Sequence, residues 1–192
     1  MPAETDEERA TAPPPHPRPL LATALSRGPA PHFPELAARY LEEYLAKISF
    51  ALERLPDERL WWRPTPEANS AGNLVLHLCG NLSLWLLANV GGEPFVRDRA
   101  GEFAARGGAD AQELHTRLAD VVGRCTALLR RLDEDDLATP LRVQGYDTDV
   151  LGVVFHAVEH MSYHTGQLLY LLKQSLAPDA ERVELYPQHR KE

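Results

Sequence analysis

Apolar residues recur at intervals of three and four over four long stretches of the chain, the period of a helix with one buried face. The first stretch carries Leu36, Tyr40, Leu41, Tyr44, Leu45, Ile48, Leu52 and Leu55 and is stopped by Pro56. The second carries Leu74, Leu78, Leu82, Trp85 and Leu86; Ser70, with Asn73 three residues on, opens it as an N-cap, and Gly91 and Gly92 close it. Asp110 followed by Glu113 has the form of a capping box and leads into Leu114, Leu118, Val121, Val122, Cys125, Leu128, Leu129 and Leu132. The fourth stretch runs from about Thr148 to about Leu176, and only Leu141 to Tyr146 alternates as a strand would. These patterns predict an all-α protein, a four-helix bundle.

Outside the helices the chain is broken by proline and glycine. Nine of the 16 prolines lie in the first 34 residues, a density that denies the segment helix hydrogen bonds and a packed core. Residues 1–31 are therefore expected to form a disordered N-terminal arm, 32–177 the bundle, and 178–192 a polar C-terminal tail. Glycine pairs bracket the link between the second and third helices, Gly91 to Gly108, which is long for a bundle connection. It carries Arg97, Asp98, Arg99, Glu102 and Phe103, and is expected either to fold over a site as a charged lid or to lie on the surface as an ordinary solvated loop.

Composition narrows the function classes. With 192 residues the chain fits one domain and is too short for a (β/α)₈ barrel, which needs about 250. Its 20 Lys and Arg against 28 Asp and Glu, a net charge of −8, argue against a nucleic-acid partner. The longest apolar run, Leu74 to Val90, is interrupted by His77, Gly80, Asn81, Ser83 and Asn89, so no membrane span is expected. The acidic start, Met1 to Arg9, is unlike a secretory leader, and a cytoplasmic location is expected, with Cys79 and Cys125 reduced. A small-molecule substrate and a homodimer formed through an exposed apolar face complete the expectations about partners.

Candidate chemistry concentrates on the fourth helix. His156, His160 and His164 follow at intervals of four, each step advancing about 40° around the helix and about 6 Å along it, so all three share one face with Gln167. Apolar residues lie on both sides of this helix, so the histidine face is expected to be buried, where each ring nitrogen needs a partner. A metal is one such partner. Neighbouring histidines can converge on one ion, but the outer two, about 12 Å apart along the axis, cannot both do so. The pair is either His156/His160 or His160/His164, completed from elsewhere, and His77 on the second helix is the best donor. Cys79, about 200° around that helix from His77, points away. Gly80 costs about 1 kcal/mol relative to alanine in a helix interior, consistent with close approach of another helix. Three histidines would leave one open coordination position, as in catalytic zinc sites.

His156 to His160 also spell H-x-x-E-H, the inverted zinc-peptidase pattern with Glu159 as general base. That reading leaves His164 unexplained and a single bundle leaves little room for a peptidase cleft.

The run HAVEHMSYHTGQLLYLL, His156 to Leu172, resembles the last-helix signature of the DinB-like and YfiT-like metal-binding four-helix bundles. NSAGNLVLHLCGN, Asn69 to Asn81, resembles their second-helix signature, and Trp62, Arg63 and Pro64 their lead-in. The resemblance spans about residues 33–176 and, in its long link, looks like an uncharacterised bacterial branch. It implies up-down-down-up connectivity and a divalent metal, zinc or nickel, held by His77, His160 and His164, with His156 close by or facing substrate. It further implies a metal-dependent hydrolase or a thiol-dependent transferase, or a non-catalytic metal-binding or stress-response bundle. Glu159, Tyr163, Gln167 and Asn81 are candidates to orient the ligands or take part in catalysis, and Arg97 or Arg99 to hold an anionic substrate group.

Overall fold

Pro34, which pre-sets a helical φ, and Glu35, an acid in the first turn, start α1 (Phe33–Arg54) in the computed structural model, which describes residues 32–176. The expected N-terminal arm and C-terminal tail lie outside the described residues. Helix α2 (Ala71–Leu82) is opened by the Ser70 hydroxyl, which accepts from Asn73 N at 3.2 Å, and continues as a π-helical stretch, Ser83–Ala88. It ends at Gly92, whose φ of +73° favours glycine. Helix α4 (Ala111–Leu129) begins at the reciprocal Asp110–Glu113 capping box, and Asp149 caps the long α6 (Val150–Ser175) through Gly152 N at 2.7 Å.

Two departures from the sequence pattern have local causes. Leu141 to Tyr146 belongs to a hairpin, β1 (Pro140–Val143) paired antiparallel with β2 (Tyr146–Asp149). Gln144 and Gly145, at φ +51° and +88°, form its two-residue turn, so β2 occupies residues expected to begin the last helix. The 91–108 link is not an ordinary solvated loop; as the charged-lid reading expects, it folds against α2 and brings Arg97 and Glu102 to His77. Asp98 caps a short helix, α3 (Arg99–Ala104), that packs on α2, and a second short helix, α5 (Glu134–Leu137), follows α4.

Three sets of contacts fix the bundle's directions. Arg130, just after α4, bonds Glu35 and Glu42 near the start of α1, so these helices run oppositely. Trp61 Nε1, before α2, donates to Ala109 O, before α4, while Leu82 at the end of α2 meets Cys125 late in α4; these two are parallel. His77 meets His160 and Asn81 meets His156, so α2 and α6 are antiparallel. The order is up, down, down, up. Ala71–Ala88 is apolar and long enough to pass as a membrane span by composition alone, but 83% of it is buried inside the bundle, as a core helix requires. Leu41, Leu78, Leu118 and Met161, one from each long helix, are fully buried at the centre.

Candidate metal centre

The antiparallel crossing of α2 and α6 brings His77 against the histidine ladder. Its ring centroid lies 5.0 Å from that of His160 and 4.9 Å from that of His164, and the two ladder rings are 4.5 Å apart. One ring nitrogen from each of the three lies within 4.8 Å of the others, and His77 Nε2 is 2.9 Å from His160 Nε2. His156 stands outside this cluster. Its ring packs on Trp85 at 4.1 Å and its Nε2 is 3.4 Å from Asn81 Nδ2. Of the two ladder pairs that spacing leaves open, the fold gathers His160 and His164 with His77.

The outer nitrogens fix the tautomers. His77 Nδ1 is 2.9 Å from Glu102 Oε2; an ionised carboxylate only accepts, so Nδ1 carries the proton and Nε2 presents its lone pair to the cluster. Arg97 clamps the same carboxylate in two places, Nε to Oε1 at 2.7 Å and Nη2 to Oε2 at 2.8 Å. Its Nη2 also lies 3.0 Å from His77 Nδ1, a contact between two donors imposed by the oxygen they share. His164 Nδ1 donates to Gln167 Oε1 at 2.7 Å, which frees its Nε2 in the same way.

Burial sets the charge state. It pushes the Glu102 carboxyl up, but the hydrogen bonds from His77 and Arg97 together outweigh it and hold the group below its usual range. Desolvation, with the neighbouring His164 and His77, drives His160 down to about 3, and desolvation lowers His156 and His164. These rings of α6 are neutral at pH 7, the form that ligates metal.

The donor set fits a divalent cation. Two nitrogens that share an ion at about 2.05 Å stand about 2.9 Å apart for a right-angle arrangement and about 3.3 Å for a tetrahedral one, and the His77–His160 contact falls at the lower value. Among the described residues no carboxylate or thiol joins the three histidines in the cluster. Cys79 is buried in the core, where desolvation pushes its thiol up to about 12.

The remaining candidates separate. Gln167 reaches the cluster through His164, and Tyr163, 60% exposed, sets its ring edge-on to His164 at 5.1 Å. Glu159 is exposed and His156 lies outside the cluster, so the H-x-x-E-H peptidase arrangement is not formed. Arg97 is committed to Glu102 and is not free to hold a substrate anion. Arg99 is exposed and lies over the Phe103 ring at 4.9 Å, with that ring 4.6 Å from His77. Asn81 Oδ1 and Trp85 Nε1, on the two residues that meet His156, are buried without a partner; Trp85 sits in the π-helical stretch, a feature frequent at functional sites.

Sequence reasoning missed the role of Glu102, which lies 25 residues from its partner on a short helix with little periodicity. Its place in a link read as a charged lid gave one trace without naming His77 as its partner, and Gly80 gave another, read as the approach of a helix rather than of a side chain. A Cβ there would collide with the Glu102 carboxylate and approach Arg97 Nε to 3.1 Å, so the close neighbour is this ion pair.

Comparison with known proteins places this geometry. Residues 40–168 match the DinB superfamily. The fold is shared with YfiT from Bacillus subtilis, described as a probable metal-dependent hydrolase with an unusual four-helix bundle topology (19% identity, 77% of this chain and 91% of that one, TM-score 0.63). It is shared also with a conserved protein from Enterococcus faecalis (17% identity, 76% and 98%, TM-score 0.63). The mycothiol-dependent maleylpyruvate isomerase is similar at 17% identity and TM-score 0.55 over 70% of this chain, which spans only 60% of that protein. Among curated proteins none matches this chain in sequence. The match over most of the helical body, with the shared up-down-down-up bundle, shows that the chain belongs to the DinB superfamily and has a YfiT-like fold.

Proposed function

We propose that the protein is a metal-dependent enzyme, a hydrolase or thiol-dependent transferase, that holds one zinc or nickel ion through Nε2 of His77, His160 and His164. The observation that carries this reading is the convergence of three imidazoles with no fourth protein donor among the described residues, since structural zinc sites are normally closed by a fourth protein ligand. The cation supplies a Lewis acid that polarises a substrate group or lowers the pKa of a water or thiol at the open position. Glu102 holds the His77 proton on Nδ1, and Gln167 does the same for His164. His156, Asn81 and Trp85 pack together on the side of His160, where the two buried unpartnered polar atoms would each take a water. Arg99, stacked over Phe103 beside His77, is the group to hold a substrate anion, and exposed Tyr163 stands beside His164.

YfiT and the mycothiol-dependent isomerase supply the two chemistries to test, hydrolysis and thiol transfer. The experiment compares zinc-loaded, nickel-loaded and metal-free protein against panels of esters, amides and thiols with electrophiles. Turnover that requires metal and is lost in His160→Ala supports the proposal. One bound metal with no turnover above the metal-free protein would favour a non-catalytic or stress-response bundle. The proposal includes a cytoplasmic homodimer; light scattering tests the dimer, and a mass near 21.4 kDa counts against it.

A further inference from the structure

The carboxylate behind His77 comes from outside the four long helices, so something must hold α3 in place for it to work. Asn73, fully buried in the first turn of α2, donates through Nδ2 to Glu102 O at 2.8 Å and Ala105 O at 3.0 Å. Its Oδ1 accepts from the Ser70 hydroxyl at 2.6 Å and from Arg63 Nη2 at 2.7 Å. Arg63 Nη2 reaches on to Phe103 O, also at 2.7 Å. Arg63 is held in this desolvated place, its Nε buried without a partner and its pKa lowered by burial first and by Arg106 second. The half-buried guanidinium thus bonds both the Asn73 side chain and the main chain of α3.

We propose that Arg63 and Asn73 are positioning residues for the metal centre: they latch the end of α3 to the start of α2 and so set the Glu102 carboxylate against His77 Nδ1. The inference rests on the three-histidine site proposed above. Neither residue touches the cluster. Asn73 pins the backbone of Glu102 itself, Arg63 pins the next residue and Asn73, and the carboxylate then spans from α3 to His77 and Arg97. With the latch open, Glu102 would lose its register over Gly80, and His77 would be free to turn or to move its proton to Nε2. Carboxylates that orient metal-bound histidines in this way typically alter metal affinity about 10- to 100-fold when removed.

The test uses the full chain and the variants Arg63→Gln, Glu102→Ala and their double. Zinc affinity is read by competition with a chromophoric chelator. Arg63→Gln is expected to weaken zinc binding at least about tenfold, and the double variant to bind no more weakly than Glu102→Ala alone, because the latch acts only through Glu102. A merely structural role would lower melting temperature without this non-additivity. Equal weakening by Arg63→Gln in both backgrounds, or wild-type affinity in Arg63→Gln, would overturn the proposal.

A second readout needs no metal. Proton NMR of the metal-free wild type should show a downfield, exchange-protected His77 Nδ1–H signal, retained in His160→Ala and lost in Arg63→Gln while the amide spectrum stays folded. Its absence from the wild type, or its persistence in Arg63→Gln, overturns the latch; failure of the wild type to bind zinc with this signal intact overturns only the metal reading. If Arg63→Gln does not fold, Arg63→Lys, which keeps the charge and loses the branched reach, takes its place with the same outcomes.

Discussion

Gly80→Ala separates an ordinary helix from one built around a carboxylate. Alanine in a helix interior is favoured over glycine by about 1 kcal/mol, so an unencumbered site would be stabilised. Here the new methyl would occupy the place of the Glu102 carboxylate. The carboxylate end of a glutamate is flexible in isolation, but this one is buried, bonded twice by Arg97 and once by His77. Moving it forfeits at least one charge-assisted hydrogen bond, each worth about 1.5–3 kcal/mol, and tilts the others. Against the propensity gain, the loss of one such bond leaves a net destabilisation of about 0.5–2 kcal/mol. For a body of this size about 1 kcal/mol corresponds to about 3 °C, so the melting temperature of metal-free Gly80→Ala should fall by about 1.5–6 °C. Differential scanning calorimetry measures it, and zinc affinity should drop in parallel. A melting temperature at or above wild type, with unchanged zinc affinity, would refute the claim that Gly80 makes room for a clamped carboxylate.

Other outcomes follow from burial and charge. Burial drives the Cys79 and Cys125 thiols up to about 12, so neither should react with a thiol reagent at pH 8 in the native protein, and both should react in denaturant; rapid native labelling would show the core is not packed as described. His160 titrates at about 3 in the fold against 6.5 when unperturbed, with His156 and His164 shifted the same way. The unfolded chain therefore takes up these protons first, so metal-free stability should be flat above about pH 6.5 and fall as pH drops towards 3; a melting temperature that rises on acidification would contradict neutral buried rings. Ser70→Ala removes the α2 N-cap and should cost about 1 kcal/mol in urea unfolding, and no change would contradict the cap.

Features that depend on residues close in sequence were legible before the structure. Capping boxes act over three residues, and both Ser70–Asn73 and Asp110–Glu113 open helices where the pattern placed them. The ladder's shared face follows from helical geometry alone. What spacing could not settle was which pair meets His77, because that depends on the register between α2 and α6. The pairing of Glu102 with His77 was illegible for a related reason. It works by reaching across 25 residues, and a six-residue helix carries no stripe to reveal which side faces inward. Asn73 showed only its capping role, since its Nδ2 bonds run to carbonyls, which any residue type provides.

The central claim is that His77, His160 and His164 form one divalent-metal site and that His156 stands outside it. Calorimetric titration of zinc into metal-free wild type, His160→Ala and His156→Ala tests this most directly. The account predicts about one equivalent in wild type and in His156→Ala, and loss of that equivalent in His160→Ala. Retention of stoichiometric, unweakened binding in His160→Ala, or its loss in His156→Ala alone, would contradict it.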